Sequence, residues 1–190
     1  MQKTVCYTNV RRILKRGKMT ENKVSDLDPR KKIRVIAFDV DGTLTDGKIY
    51  MSARGELFKA FNIKDGYALS HILPDNNIVP IIITARSSEI VSRRCAELGI
   101  KHCYQGCNNK EEKIHLIAKE FHIESNDKGK YEGIAYMGDD NIDIPPMKLC
   151  NIIGCPADAS DEVKEISSYI SSKKGGEGAA RDFIYWIVKC

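Results

Sequence analysis

Ile33-Arg34-Val35-Ile36-Ala37-Phe38-Asp39-Val40-Asp41-Gly42-Thr43 is the stretch whose reading decides the fold. A short β-branched and apolar run delivers two aspartates, two residues apart, into a Gly-Thr turn. Side chains alternate along a strand, so positions 39 and 41 project the same way. Two carboxylates therefore stand side by side where a buried strand ends. In α/β sheets, ligands bind in the crevice at the carboxyl ends of the strands. Close carboxylates repel each other and invite a divalent cation. The plainer reading is a strand followed by an ordinary acidic turn, since Asp-Gly turns are common.

Outward from this stretch, strands and helices alternate. Residues 33–38 form the first strand. Residues 48–51 and 57–61 flank Ser52-Ala53-Arg54-Gly55-Glu56, a β-hairpin with a Gly-containing turn. Asp65 is placed to N-cap a helix through Tyr67, Leu69 and Ile72 that stops before Pro74. The run 79–83 is a buried strand of parallel-sheet character. A helix over 87–98 ends at Gly99, and a short strand covers 101–104. The spacing of Ile114, Ile117, Ala118 and Phe121 predicts an amphipathic helix over 110–121. After a polar turn at 126–130 come strands at 133–137 and 151–153 and a last helix over 179–188. The pattern is doubly wound α/β: a parallel sheet with helices on both faces, in one domain over 31–190. The 190-residue length is enough for a substantial core.

Charge is unevenly placed. The first 32 residues carry ten lysines and arginines against Glu21, Asp26 and Asp28, a net +7 there. With +4 overall, the remainder carries −3. Residues 1–30 therefore read as a basic, disordered extension, with Met19 an alternative start. The extension lacks the aromatic interleaving of a nucleic-acid binder and the apolar core of a secretory signal. No apolar run approaches the roughly 18 residues of a membrane span. Neither nucleic acid nor membrane is expected as a partner. The seven cysteines include no Cys-x-x-Cys pair. His102, Cys103 and Cys107 lack a second pair at zinc-ligand spacing, so free thiols in a reducing cytoplasm are expected.

Further chemistry sits just past other strands. Gly138-Asp139-Asp140-Asn141-Ile142-Asp143 follows the strand ending at Met137. One aspartate suffices to cap the next helix, and three exceed that need. Oxygen-only ligands with clustered negative charge suit Mg²⁺. Thr84 ends the second long strand, where a hydroxyl also serves as an N-cap. Lys110 opens a helix after Gln105-Gly106-Cys107-Asn108-Asn109, where a solvated lysine is the plainer reading.

Taken together, Asp39-x-Asp41-Gly-Thr, Thr84, Lys110 and Gly138-Asp139-Asp140 resemble, in order, the four motifs of the haloacid dehalogenase superfamily. The stretch from Asp39 to Arg181 resembles more closely the 3-deoxy-D-manno-octulosonate 8-phosphate phosphatases. The matching pieces are Asp39-Val-Asp-Gly-Thr-Leu-Thr-Asp-Gly, Ile49-Tyr-Met, Lys59-Ala-Phe-Asn-Ile-Lys-Asp-Gly-Tyr, Thr84-Ala-Arg, Tyr104-Gln-Gly, Gly138-Asp-Asp and Gly175-Gly-Glu-Gly-Ala-Ala-Arg-Asp.

The resemblance implies a Rossmann-like phosphatase in which Asp39 is the nucleophile and Asp41 the acid and base. Thr84 and Lys110 would bind the phosphoryl group. Mg²⁺ would sit on Asp39, the backbone carbonyl of Asp41 and Asp139, with Asp140 and Asp143 orienting its waters. Arg86 is the candidate for the substrate's carboxylate, with Lys64 behind it. The family is capless, consistent with only a short hairpin between the first aspartates and the next helix. It is homotetrameric, with hairpins forming a barrel and a Gly-rich C-terminal tail, here Gly175 and Gly176, covering a neighbour's site. The implied setting is lipopolysaccharide precursor synthesis in the cytoplasm. Two alternatives stay open: a phosphatase for a nine-carbon sugar-acid 9-phosphate, and a non-catalytic oligomerisation domain of the kind fused to sialic acid cytidylyltransferases.

Overall fold

A computed structural model describes residues 28–190. Six parallel strands form one sheet: β1 (Val35–Phe38), β4 (Val79–Ile83), β5 (His102–Tyr104), β6 (Tyr131–Met137), β7 (Cys150–Cys155) and β8 (Tyr169–Ile170). Their spatial order is β5-β4-β1-β6-β7-β8. The chain therefore winds outward from β1 in one direction, then returns to its other side. The switch point lies between β1 and β6, where the doubly wound architecture opens its crevice. In register, Phe38 lies between Ile82 and Met137, so Asp39 and Gly138 leave the sheet together and Thr84 follows one residue later on β4.

Alternation along β1 builds the two sides of the core. Ile36 and Phe38 face one layer, with helices α1 (Ile63–Tyr67), α2 (Glu89–Glu97) and α6 (Ala179–Val188). Val35 and Ala37 face the other, with α3 (Lys110–Glu120), α4 (Ile144–Lys148) and α5 (Asp161–Ile166). Every side chain of β1 is buried, as a strand covered on both faces requires. No helix among the described residues is long and apolar enough to cross a membrane.

The remaining two strands stand apart. β2 (Tyr50–Ser52) and β3 (Gly55–Phe58) pair only with each other, as an antiparallel hairpin between β1 and α1. Tyr50 stacks on Phe58 at 4.3 Å between ring centroids. Ile49, Met51, Leu57 and Phe58 are nevertheless all exposed.

Several local expectations change. Asn62, not Asp65, caps α1, accepting from the Lys64 N–H at 2.8 Å. Asp65 lies inside the first turn, buried, and accepts from the Arg181 N–H at 2.7 Å. The reason is that Gly178, the cap position of α6, has no side chain to cap with, so Asp65 supplies an acceptor from another helix. Burial raises the Asp65 pKa, and the Arg181 N–H opposes the rise. The α1 helix also does not stop before Pro74. It widens into a π turn (Ala68–Ile72) and ends in Leu73–Asp75, where the proline sits in a first-turn position that needs no N–H.

Of the expected extension, residues 1–27 lie outside the described residues. Asp28–Arg30 are packed on the body. Asp28 caps a 3-10 turn (Pro29–Lys32), and Arg30 donates to the Trp186 carbonyl at 2.9 Å with its guanidinium over the indole ring. The short α5 and β8 have no counterpart in the sequence reading, because each carries too few apolar residues to show a period.

Asp65→Ala should cost about 1–2 kcal/mol by urea denaturation, since it removes the acceptor of the Arg181 N–H in the first turn of α6. An unchanged midpoint would mean that water replaces the carboxylate without loss.

Candidate active site

Asp39 follows β1 directly and is buried. Lys110, the first residue of α3, reaches it from the other side of the crevice. Its ammonium donates to Asp39 Oδ1 at 2.6 Å and to Asp143 Oδ1 at 2.7 Å. Asn109 caps α3 by accepting from the Glu112 N–H, which fixes where the helix starts and hence where Lys110 points. Burial alone would lower the Lys110 pKa. The carboxylates of Asp39 and Asp143 outweigh it and hold the ammonium charged.

Asp139 leaves β6 beside Asp39. Its Oδ1 accepts from the Thr43 hydroxyl at 2.9 Å. Gly42 makes this approach possible. Its φ is +95°, and a β-carbon there would strike the Asp139 carboxylate. Asp143 is fully buried on the 3-10 turn after β6. It accepts from Lys110, from the Tyr136 hydroxyl at 2.9 Å and from the Asp139 N–H at 3.1 Å. Asp140 is exposed and caps that turn.

Carboxylate oxygens of Asp39, Asp139 and Asp143 all lie within 4.8 Å of one another. Three clustered carboxylates, two of them buried against one ammonium and the third half-buried, leave excess negative charge. Burial and Asp143 push Asp39 up to about 7, despite Lys110. Burial, Asp39 and Asp143 push Asp139 up to about 8. A donor set of hard oxygens whose charged forms are this unfavourable suits a divalent cation. No cluster of histidines and cysteines among the described residues has that character, and Cys95, Cys103, Cys107, Cys150, Cys155 and Cys190 are free thiols.

Thr84 is buried where β4 ends, its backbone held by Tyr104 and Cys107. Asp41 lies one turn beyond Asp39 and faces the hairpin. Lys59, whose side chain is 3% exposed, donates to Asp41 Oδ1 and lies 3.1 Å from Glu56 Oε1. Arg86 Nε lies 3.8 Å from Asp41 Oδ2, and its fork reaches Glu56 Oε1 at 3.3 Å. The crevice thus brings Asp39, Asp41, Thr84, Arg86, Lys110, Asp139 and Asp143 to one end of the sheet. Lys64 lies elsewhere, in a surface groove with Lys173, Arg181, Tyr185 and Lys189. Gly175 and Gly176 lie against the turn after Asp39 in their own chain. The Gly176 N–H donates to the Thr43 carbonyl at 3.2 Å, and Asp158 accepts from the Gly175 N–H at 3.0 Å. Sequence reasoning assigned no role to Lys59, Glu56 or Tyr136, although Lys59 opens one of the stretches that match the family.

No family model matches the chain. Proteins of known function do. The chain is 41% identical over 150 residues to the 3-deoxy-D-manno-octulosonate 8-phosphate phosphatase KdsC of Salmonella typhi, covering 79% of this chain and 76% of that one. It is 40% identical, with the same coverage, to KdsC of Escherichia coli K12. The chain belongs to the 3-deoxy-D-manno-octulosonate 8-phosphate phosphatase family. The fold agrees with the family's solved structures. The Moraxella catarrhalis phosphatase, in complex with magnesium, phosphate and KDO, matches with a TM-score of 0.78 at 34% identity, over 90% of this chain and 92% of that one. The cobalt-bound Haemophilus influenzae phosphatase matches with a TM-score of 0.79 at 33% identity, over 85% and 91%. A Legionella pneumophila hydrolase described as a putative member of the wider HAD superfamily matches with a TM-score of 0.79 at 29% identity, over 89% and 90%.

Gly175→Ala tests the contact behind the turn. A β-carbon there would collide with the Gly42 carbonyl, so either the turn or the 173–178 segment must move. Phosphatase kcat should fall at least about tenfold, while the melting temperature drops by only a few degrees. Full activity would show that the segment yields and the turn does not.

Proposed function

We propose that this chain is a Mg²⁺-dependent phosphatase that hydrolyses 3-deoxy-D-manno-octulosonate 8-phosphate to the sugar acid and phosphate. The carrying observation is the convergence of Asp39, Asp41, Thr84, Lys110 and Asp139 on one crevice in a chain of this family. An Asp39 carboxylate oxygen attacks phosphorus, and the bond from phosphorus to the sugar oxygen breaks. Asp41 gives its proton to that oxygen. Water then attacks the aspartyl-phosphate, Asp41 takes the water's proton, and Asp39 is regenerated. Lys110 and Thr84 bind phosphoryl oxygens as charge moves onto them.

Asp39, Asp139 and the Asp41 carbonyl would hold Mg²⁺, with Asp140 and Asp143 toward its waters. When bound, the ion offsets negative charge on the phosphoryl group. Asp143 also pins Lys110 and the Asp139 backbone, which makes it a positioning residue whatever it does for water. Gly175 and Gly176 contribute by supporting the turn. The thiols and the sugar-acid substrate fit a cytoplasmic enzyme of lipopolysaccharide precursor synthesis.

A homotetramer built on the hairpin is supported by exposed Ile49, Met51, Leu57 and Phe58. An isolated two-stranded ribbon is marginal in water and its apolar face calls for a second copy. A purely oligomerising role is disfavoured by the complete catalytic set. Such a module has no use for a lysine buried between two carboxylates.

Metal binding and pH are linked. The raised pKa values of Asp39 and Asp139 mean that their stability contribution is fully present below about pH 4 and is lost as pH rises through about 7 to 8. Mg²⁺ requires the deprotonated forms. Its stabilising effect should therefore grow from pH 5.5 to pH 8, read as the melting-temperature difference with and without Mg²⁺. An increment independent of pH would place the ion on other groups.

Arg86 stands beside Asp41 and Glu56 with its side chain 39% exposed, so it is open to a further anion. Its guanidinium can pair bidentately with the substrate's carboxylate. That pairing is worth about 1.5–3 kcal/mol when shielded, or about one to two decades in kcat/KM. Arg86→Ala should raise KM for 3-deoxy-D-manno-octulosonate 8-phosphate and leave KM for p-nitrophenyl phosphate unchanged. The eight-carbon ester should also exceed a nine-carbon sugar-acid 9-phosphate in kcat/KM, and the reverse order would overturn the substrate assignment.

A further inference from the structure

A lysine whose side chain is almost fully buried needs partners to offset its desolvation. Lys59 has two, and both are protein carboxylates: Asp41 and Glu56. Neither partner is free to drift. Glu56 Oε2 accepts from the Ser88 hydroxyl, and Ser88 is the N-cap of α2, accepting in turn from the Ile90 N–H at 3.2 Å. Arg86 holds the other Glu56 oxygen. A continuous chain of hydrogen bonds and an ion pair therefore runs from the N-terminus of α2 through Glu56 and Lys59 to Asp41 Oδ1. Asp41 Oδ2 has Arg86 Nε at 3.8 Å, beyond hydrogen-bond distance.

We propose that Lys59 is a positioning residue for Asp41: it engages Oδ1, fixes the carboxylate's rotation, and leaves Oδ2 to carry the proton in both steps of the reaction. This inference rests on the acid and base role proposed above for Asp41. Lys59 is too buried and too fully occupied to be a substrate contact. It arrives from the hairpin, one residue past β3, so the hairpin supplies a part of the catalytic apparatus and is not merely an outward-facing ribbon.

The leaving group separates this role from the alternatives. An alkoxide leaving group needs a proton from Asp41, whereas p-nitrophenolate does not. Both esters need Asp41 as base in the second step. With the full chain and Mg²⁺, Lys59→Met should lower kcat on the sugar phosphate by about 10–100-fold with KM within about twofold. On p-nitrophenyl phosphate, rapid mixing should show a burst of nitrophenolate at near the wild-type rate, followed by slow turnover as the phosphorylated enzyme accumulates. Glu56→Gln, which removes the charge that anchors Lys59, should show the same pattern more weakly, and it carries the test if Lys59→Met does not fold. Equal slowing of the first step on both esters, or a rise in KM at constant kcat, would overturn the inference. A wild-type protein inactive on both esters would overturn the phosphatase reading itself.

Discussion

One buried ammonium between two carboxylates organises this molecule. Lys110 is the first residue of α3, yet its charge is spent entirely inside the crevice, on Asp39 and Asp143. Each of the three comes from a different part of the wound sheet: the end of β1, the helix after β5 and the turn after β6. Burying Lys110 alone would be prohibitive, and burying the two carboxylates together would be worse. Folding therefore succeeds only when all three arrive in register, and registering them sets the crevice geometry. The remaining charge imbalance, carried by Asp39 and Asp139, is not repaired by the protein. That imbalance is what a divalent cation would correct, so the charge that makes the bare site unfavourable is the same charge that suits it to hold a metal.

Much of this was legible along the chain because the chemistry sits at strand ends. Val35–Phe38 and Val79–Ile83 declare themselves by continuous β-branched and apolar residues, and once their ends are located, Asp39, Thr84 and Asp139 fall on one rim. Lys110 required the order of motifs, since a lysine in a helix's first turn is otherwise unremarkable. What stayed hidden was whatever depends on contacts between distant segments. Asp65 looked like a local cap because the pattern before a helix is local. Its real partner, the N-terminus of α6, is 116 residues away. Pro74 looked like a stop because the π turn that absorbs it has no composition of its own. The short α5 and β8 carry too few apolar residues for a period to emerge.

Glycines do a different job at the back of the site. Gly42 gives up its side chain so that Asp139 can approach the turn after Asp39 from one side. Gly175 gives up its own so that the 173–178 segment can approach from the other. The turn is thereby clamped between a charged wall and a backbone wall. This packing explains why a Gly-rich run, which on its own reads as a flexible linker, is held by hydrogen bonds to Thr43 and Asp158. Flexibility in the sequence has become closeness of approach in the structure.

The hairpin joins these arguments to assembly. Its inner side sends Lys59 to Asp41 and Glu56 to Arg86 and Ser88, while its outer side exposes Met51 and Leu57. Two strands pairing only with each other offer little stability of their own. A ribbon that loosely held would let Lys59 wander, and the orientation of Asp41 with it. Covering the outer face with a second copy would stiffen the ribbon and, through the same few residues, the proton donor. In a capless phosphatase, where no lid closes over the reaction, oligomerisation would then take over part of what a lid does: it would immobilise the group proposed to meet the leaving oxygen.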